Sequence, residues 1–395
     1  SRETRVSRDQ RNTRRRSLTW AASWLSTDRR QGIPTAGGES WVAVSPHPPE
    51  PEEMPDPLAM LIQPATRSRR RRHVAVTAAV TEQAAQQYGL IGRWQCRELG
   101  MPKDRVQRLI ERGEWREVAR GVLQADPHAV EREDWPAIAA RRAMVGALAG
   151  GREAILVGSA ALAILGVQGA PLTFIPEFAL LSGGTRRRDP GFRERRFITR
   201  ELIPHHPKTL MIKGIRVAGP LWALRQVLPG LSREHAVAVL DSALNTKWLS
   251  AKDVPLLMEV LVGARGVRSL RKWLTLVDGR AESPLETRAR LVCLDSGLPP
   301  DGLQRVIHDA EGRFVARCDL VWDLGGGRLL IIEMDGAHHR KTGQISRDNT
   351  RDNELTGLGH VVYHLDWSHL WNETLPSTVR RELLRHGRLE HRVLR

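Results

Sequence analysis

Residues 313–335 read RFVARCDLVWDLGGGRLLIIEMD. Apolar and polar residues alternate as far as Asp323, three glycines turn the chain, and residues 329–334 form an almost wholly apolar run. This pattern predicts two neighbouring β-strands. The strands would place Asp319 and Glu333 at adjacent positions on the edge of an apolar sheet. A carboxylate there is costly unless a positive charge lies beside it, so the pair predicts a cation site.

The segment upstream predicts a helix that adds a third carboxylate. Ser283 to Glu286 opens the helix, and residues 304–307 follow as a further strand. The Ser-x-x-Glu spacing is also that of a capping box, in which the glutamate satisfies a free helix N–H group, so both roles stay open for Glu286. Mg²⁺ or Mn²⁺ suits such a site, because Mg²⁺ takes one or two protein carboxylates together with phosphate and water.

The order of these motifs resembles the PD-(D/E)XK nuclease superfamily. The strings SPLETRARL, RFVARCDLVWD, LLIIEMDGAHHR and RDNTRDNELTGLGHVVYHL are more closely similar to an endonuclease-like family related to very-short-patch repair endonucleases. This resemblance implies a restriction-endonuclease-like α/β/α domain over residues 281–395. It also implies that Asp319 and Glu333 bind the metal, that Glu286 is an accessory ligand or positions water, and that Asp335 or His338 supplies acid-base chemistry.

The chain departs from the superfamily pattern at one position. The lysine expected two residues after the strand glutamate is Asp335 here. Nearby cations include Arg347 and Arg351, which stand four residues apart and share one face of a predicted helix. They could contact a DNA backbone or pair with neighbouring aspartates. His360 and His364 have no third histidine or cysteine nearby, so we predict structural roles for them.

Residues 76–128 predict a winged helix-turn-helix. Three short helices, closed by Gly89, Gly100 and Gly113, precede an alternating hairpin at residues 115–123. The string RWQCRELGMPKDRVQRLIERGEWREVARGVL resembles the amino-terminal domain of AbiEi-type antitoxins. That resemblance implies a DNA-binding domain. The side chains that it places on or beside the recognition helix are Lys103, Arg105, Arg108 and Arg112. A basic, solvated helix face is the alternative.

The rest of the chain gives weaker signals. Residues 1–75 are rich in Arg, Pro, Ser and Gly, which predicts a disordered extension. Residues 129–280 predict a middle α+β linker domain, rich in helices, in which we find no catalytic pattern. The fold class expected for the whole chain is therefore mixed α/β.

The composition indicates which class of partner this protein binds. The net charge of +16 over 395 residues indicates a polyanionic partner, and double-stranded DNA is our expectation. The sequence contains no run of about 18 apolar residues, so it predicts no membrane span. Its three cysteines lie far apart along the chain, which fits a reduced cytoplasm. The expected function is a Mg²⁺-dependent DNA endonuclease. The alternative is a catalytically inactive antitoxin-like repressor, with a toxin partner and the oligomeric state left open. An RNA-processing factor fits the charge equally well, but the predicted winged helix argues mildly against it.

Overall fold

The structure, a computed structural model, describes residues 76–130, 134–180, 193–194, 208–336 and 351–389. The predicted extension at residues 1–75 lies outside these ranges. Within them the chain is mixed α/β, as predicted, and its strands form three separate sheets of three, five and four strands. No helix in the described ranges is long and apolar enough to cross a bilayer.

The first sheet belongs to the segment between residues 76 and 130. Its helices and strands are α1 (Ala78–Gln86), β1 (Leu90–Gly92), α2 (Arg93–Glu98), α3 (Lys103–Glu111), β2 (Arg116–Ala119) and β3 (Val122–Gln124). The strands are antiparallel in the order β1-β3-β2, so β2 is an edge strand. The three helices and the hairpin occur where the sequence predicted them, whereas β1 was not predicted. A Cβ at Gly89 would overlap the backbone oxygen of Asp126, which explains why glycine joins α1 to β1.

The middle segment contains more strands than the sequence indicated. Its main elements are α4 (Trp135–Gly150), β4 (Ala154–Val157), α5 (Gly158–Ile164), β5 (Glu177–Leu180), β6 (Arg193–Glu194), β7 (Thr209–Ile212), β8 (Ile215–Ala218), α6 (Pro220–Val227), α7 (Arg233–Asn245), α8 (Val254–Val260) and α9 (Val267–Trp273). The mixed sheet has the order β6-β5-β4-β8-β7. Leu90 and Val122 of the first sheet share one apolar core with Met144 and Leu148 of α4. The first sheet is therefore packed directly against the middle segment.

The third sheet carries the predicted carboxylates. Its elements are α10 (Pro284–Asp295), β9 (Gly302–His308), β10 (Phe314–Gly325), β11 (Arg328–Met334), helical residues 351–357 (α11), β12 (Val361–Leu365), α12 (Ser368–Trp371) and α13 (Thr374–Arg385). The order is β12-β11-β10-β9, with β12 parallel to β11 and the other pairs antiparallel. Leu285, Trp322 and Val379 belong to one apolar cluster of this unit, and Leu355 of α11 belongs to a second cluster with Ile331.

A buried ion pair joins the middle segment to this third unit. Asp241 of α7 is 1% exposed, and its Oδ2 accepts hydrogen bonds from Arg290 Nη2 at 2.8 Å and Thr287 Oγ1 at 2.9 Å. Its Oδ1 accepts from the backbone N of Asp278 at 2.6 Å. Burial raises the pKa of Asp241 to about 6, and the nearby Arg290 charge opposes that rise. Because Arg290 and Thr287 lie on α10, this network fixes the helix that carries Glu286.

Candidate functional site

A row of polar side chains, called the acidic row below, crosses the third sheet. Gln304, Asp319, Glu333 and His364 come from β9, β10, β11 and β12 respectively. The parallel register of β11 and β12 pairs Glu333 with His364. Asp319 lies beside the end of β11, since its Oδ2 accepts a hydrogen bond from Met334 N at 2.9 Å. Each of the four strands therefore contributes one side chain to the row.

An amide side chain links the helix carboxylate to the strand carboxylate. Gln304 Nε2 lies 2.9 Å from Glu286 Oε2 and 2.9 Å from Asp319 Oδ1, so it can donate to both. Gln304 has a φ of 50°, a backbone conformation that residues other than glycine rarely adopt. Burial raises the pKa of Glu286, and the negative charge of Asp319 adds to that rise. The sequence predicted both carboxylates but did not predict Gln304.

Of the two hydrogen bonds of a capping box, only the one accepted by Ser283 is present at the start of α10. Ser283 Oγ accepts from Glu286 N at 3.2 Å, as an N-cap does. The Glu286 carboxylate, however, accepts from the backbone N of Glu282 at 2.9 Å rather than from the cap residue. Glu286 thus supports the helix start and also faces the acidic row.

Glu333 is the least satisfied group of the row. Its side chain is 8% exposed, and its Oε1 has no hydrogen-bond donor among the described residues. Arg351 Nη2 of α11 lies 3.8 Å from that oxygen, which is beyond hydrogen-bond distance. Burial, and then the charge of Asp319, raise the pKa of Glu333 to about 7. The same environment raises the pKa of the neighbouring Cys318 thiol to about 12, chiefly through burial.

Asp335 forms an ion pair instead of standing free. His364 Nδ1 lies 3.3 Å from Asp335 Oδ1, and His364 Nε2 lies 2.8 Å from Asp352 Oδ2. The hydrogen bond with Asp335 raises the pKa of His364 to about 9, so the imidazole is a cation at neutral pH. We predicted a structural role for both histidines. His360 fits that role, because its Nδ1 accepts from Leu329 N at 3.2 Å, whereas His364 lies within the acidic site.

The remaining predicted site residues divide into two groups. His338 and Arg347 lie outside the described residues. Arg351 lies between Glu333 and Asp352, with its Nε 3.8 Å from Asp352 Oδ1. In the part of the chain that the structure describes, no three His, Cys, Asp or Glu side chains form a preformed metal-binding group.

The basic residues predicted to bind DNA lie on and beside α3. Val106 and Leu109 face the core of the first unit, and Lys103 and Arg108 are exposed. Among the described residues no carboxylate pairs with Lys103, Arg105 or Arg108. Arg112, just after the helix, lies 4.0 Å from Glu114. Arg105 and Arg108 are three residues apart and therefore share one face of the helix.

The fold and this site define a mixed α/β protein that presents an acidic row, flanked by cationic side chains, on a four-stranded sheet. The chain belongs to the same family as Uncharacterized protein MT2308 of Mycobacterium tuberculosis (strain CDC 1551 / Oshkosh) and Uncharacterized protein Rv2248 of Mycobacterium tuberculosis (strain ATCC 25618 / H37Rv). It is 31% identical to each over 245 residues, which cover 61% of this chain and 83% of the relative. No family model matches the chain, and no solved structure is a significant match.

Proposed function

We propose that this protein is a metal-dependent DNA phosphodiesterase. In this proposal residues 281–395 are a restriction-endonuclease-like domain, and residues 76–128 are a winged helix that holds duplex DNA. The observation that carries the proposal is the environment of Glu333, a buried carboxylate with a raised pKa and an orphan oxygen beside Asp319. A group of this kind is a candidate for function, because buried carboxylate oxygens are normally hydrogen-bonded and strongly shifted pKa values cluster at functional sites.

The donor set suits a hard divalent cation such as Mg²⁺ or Mn²⁺. Asp319 and Glu333 would hold the ion, and Glu333 Oε1 is an acceptor that no hydrogen bond within the described residues occupies. Two carboxylates are enough for Mg²⁺ when phosphate and water complete its shell. A bound cation of this type lowers the pKa of its water and offsets charge on the scissile phosphate.

Arg351 would compensate for the missing lysine. Asp335 occupies the lysine position, but it holds the positively charged His364 next to Glu333. Arg351 approaches Glu333 from the other side without a tight contact. Arg351 would therefore lie against the phosphate and balance its charge. His364, whose two ring nitrogens contact Asp335 and Asp352, would only offset the negative charge of those carboxylates.

The first unit supports a DNA-binding role through its topology. A helix, a short strand, two helices and an antiparallel hairpin follow one another, and α3 is the second of the two consecutive helices. A winged helix inserts this helix into the major groove, where Arg can read guanine and Lys or Arg can neutralise phosphate. Arg105 and Arg108 are the residues that we assign to this contact.

The test is cleavage of supercoiled plasmid by the purified protein. We expect cutting with Mg²⁺, no cutting with EDTA, and a loss of at least about 100-fold in Asp319→Ala and Glu333→Ala, because two ligands of one ion act as a unit. Glu311→Gln is the control, since it removes one exposed carboxylate from the turn between β9 and β10. Equal cutting by all three variants would rule out the site.

The second candidate is a DNA-binding repressor with an inactive nuclease fold. Asp335 at the lysine position favours it, as does Gln304, whose amide already occupies one oxygen of Glu286 and one of Asp319. This protein would bind duplex DNA tightly and in a salt-sensitive way without cutting it under any metal condition. The same plasmid assay, followed by a binding titration, distinguishes the two functions.

A further inference from the structure

A buried arginine of the middle segment has two guanidinium nitrogens without a hydrogen-bond acceptor among the described residues. Arg141 lies on α4, a helix that is otherwise mostly apolar, and only 4% of the residue is exposed. Its Nε and Nη2 atoms are buried, and neither has a hydrogen-bond acceptor in the ranges that the structure describes. Buried guanidinium groups are normally paired, because an isolated charge in a protein interior is costly. An orphan of this kind requires a physical explanation.

A second arginine with an unsatisfied nitrogen lies on a strand that packs against α4. Arg116 lies on the edge strand β2, opposite Gln124 of β3, and α4 contacts both strands. Its Nη2 atom is also buried without an acceptor among the described residues. The helix that carries Arg141 packs against β2, and in keeping with this packing burial lowers the pKa of Arg141 and the positive charge of Arg116 lowers it further. The charge of Asp126 opposes this effect, but no ion pair joins Asp126 to either arginine in the described part of the chain.

This arrangement matches the chemistry of an oxyanion site. Two like charges in a region of low dielectric repel each other unless an anion lies between them. The planar guanidinium fork presents parallel N–H groups that suit the oxygens of a phosphoryl group. Arg141 is buried and Arg116 is half-buried at the edge of the sheet, so the site would open to solvent along β2.

We propose that Arg141 and Arg116 form a binding site for a phosphoryl oxyanion, separate from the acidic row. The phosphoryl group could come from free phosphate or from the backbone of a nucleic acid. Both sources present the same doubly or singly charged oxygens to the two guanidinium groups. The proposal does not depend on phosphodiesterase activity.

Thermal denaturation of the full chain tests the site. Inorganic phosphate should raise the melting temperature of the wild type by about 2 to 4 °C at saturation, relative to chloride at equal ionic strength. Arg141→Met should abolish this rise, and Arg116→Met should reduce it. Arg271→Met is the matched control, because it removes an exposed arginine of α9 and should keep the rise.

The Met variant also tests the premise that Arg141 is unpaired. In chloride alone, Arg141→Met should melt no lower than the wild type, because it replaces an uncompensated buried charge with an apolar side chain of similar length. A lower melting temperature would show that an acceptor elsewhere in the chain already neutralises Arg141. That result would overturn the proposal.

A short DNA duplex in place of phosphate separates the two sources. Protection by phosphate but not by the duplex identifies a free phosphate or phosphorylated small molecule as the ligand. Weaker duplex binding by Arg141→Met than by Arg271→Met, without any effect of phosphate, identifies a backbone phosphate. If neither probe distinguishes Arg141→Met from Arg271→Met, the site does not exist.

Discussion

Replacing Glu333 with glutamine should stabilise the metal-free protein at neutral and alkaline pH. The pKa of Glu333 is about 7 in the folded protein, compared with the ordinary glutamate value of 4.5 that applies in the unfolded chain. Between these values the folded protein holds a proton that the unfolded chain has released, so stability falls as pH rises through this window. Above about pH 7 the full cost of ionising Glu333 amounts to about 3 kcal/mol. Glutamine avoids that cost, although burying its amide costs about 1 to 2 kcal/mol, which leaves a net gain of about 1 to 2 kcal/mol.

The assay is thermal denaturation in EDTA at several pH values, with Glu311→Gln as the control. A gain of this size raises the melting temperature by about 2 to 8 °C. The gain should be largest above about pH 7 and shrink as pH falls, and below about pH 4.5, where the carboxyl group is protonated in both states, only the cost of burying the amide remains. A Glu333→Gln variant that is destabilised above about pH 7, or a stability difference that does not vary with pH, would show that the described environment of Glu333 is wrong.

Three further perturbations test other parts of the molecule. Asp241→Ala should lose about 3 to 5 kcal/mol of stability in chemical denaturation, because it leaves Arg290 buried without its partner; a loss no larger than that of an exposed alanine variant would contradict this. His364→Gln should lower the melting temperature most below about pH 6.5 and least above about pH 9, where the native imidazole has lost its charge; a loss that is constant with pH would argue against the ion pairs. Arg105→Ala and Arg108→Ala should each reduce the slope of log affinity against log salt by about 1 in titrations of a labelled duplex, and an unchanged slope would remove them from the interface.

The strands and carboxylates of the third unit were predictable because their signals are local. Alternation up to Asp323, the three glycines and the apolar run that follows predicted β10 and β11, and both formed as an antiparallel pair. Asp319 and Glu333 come from adjacent strands of that pair, so a hairpin alone was enough to bring them together. The short strands of the middle segment gave no comparable pattern, since β5, β7 and β8 are only four residues long.

The rest of the site depends on contacts that chain order does not reveal. His364 reaches Glu333 through a parallel pairing between strands that 26 residues separate along the chain. Gln304 reaches two carboxylates from a strand position with a positive φ, which the residue type does not suggest. The sequence marked Asp335 as a candidate acid-base residue, and only its contact with His364 shows that its charge is already balanced.

The contact between Asp241 and Arg290 affects how the protein can be divided for experiments. A recombinant fragment that begins after residue 280 would retain the helix that carries Glu286 but lose the carboxylate that holds Arg290. The guanidinium group of Arg290 and the hydroxyl group of Thr287, which are buried in the full chain, would then be exposed to water. Expression trials should therefore keep both halves together, since an inactive fragment would not test the proposed activity.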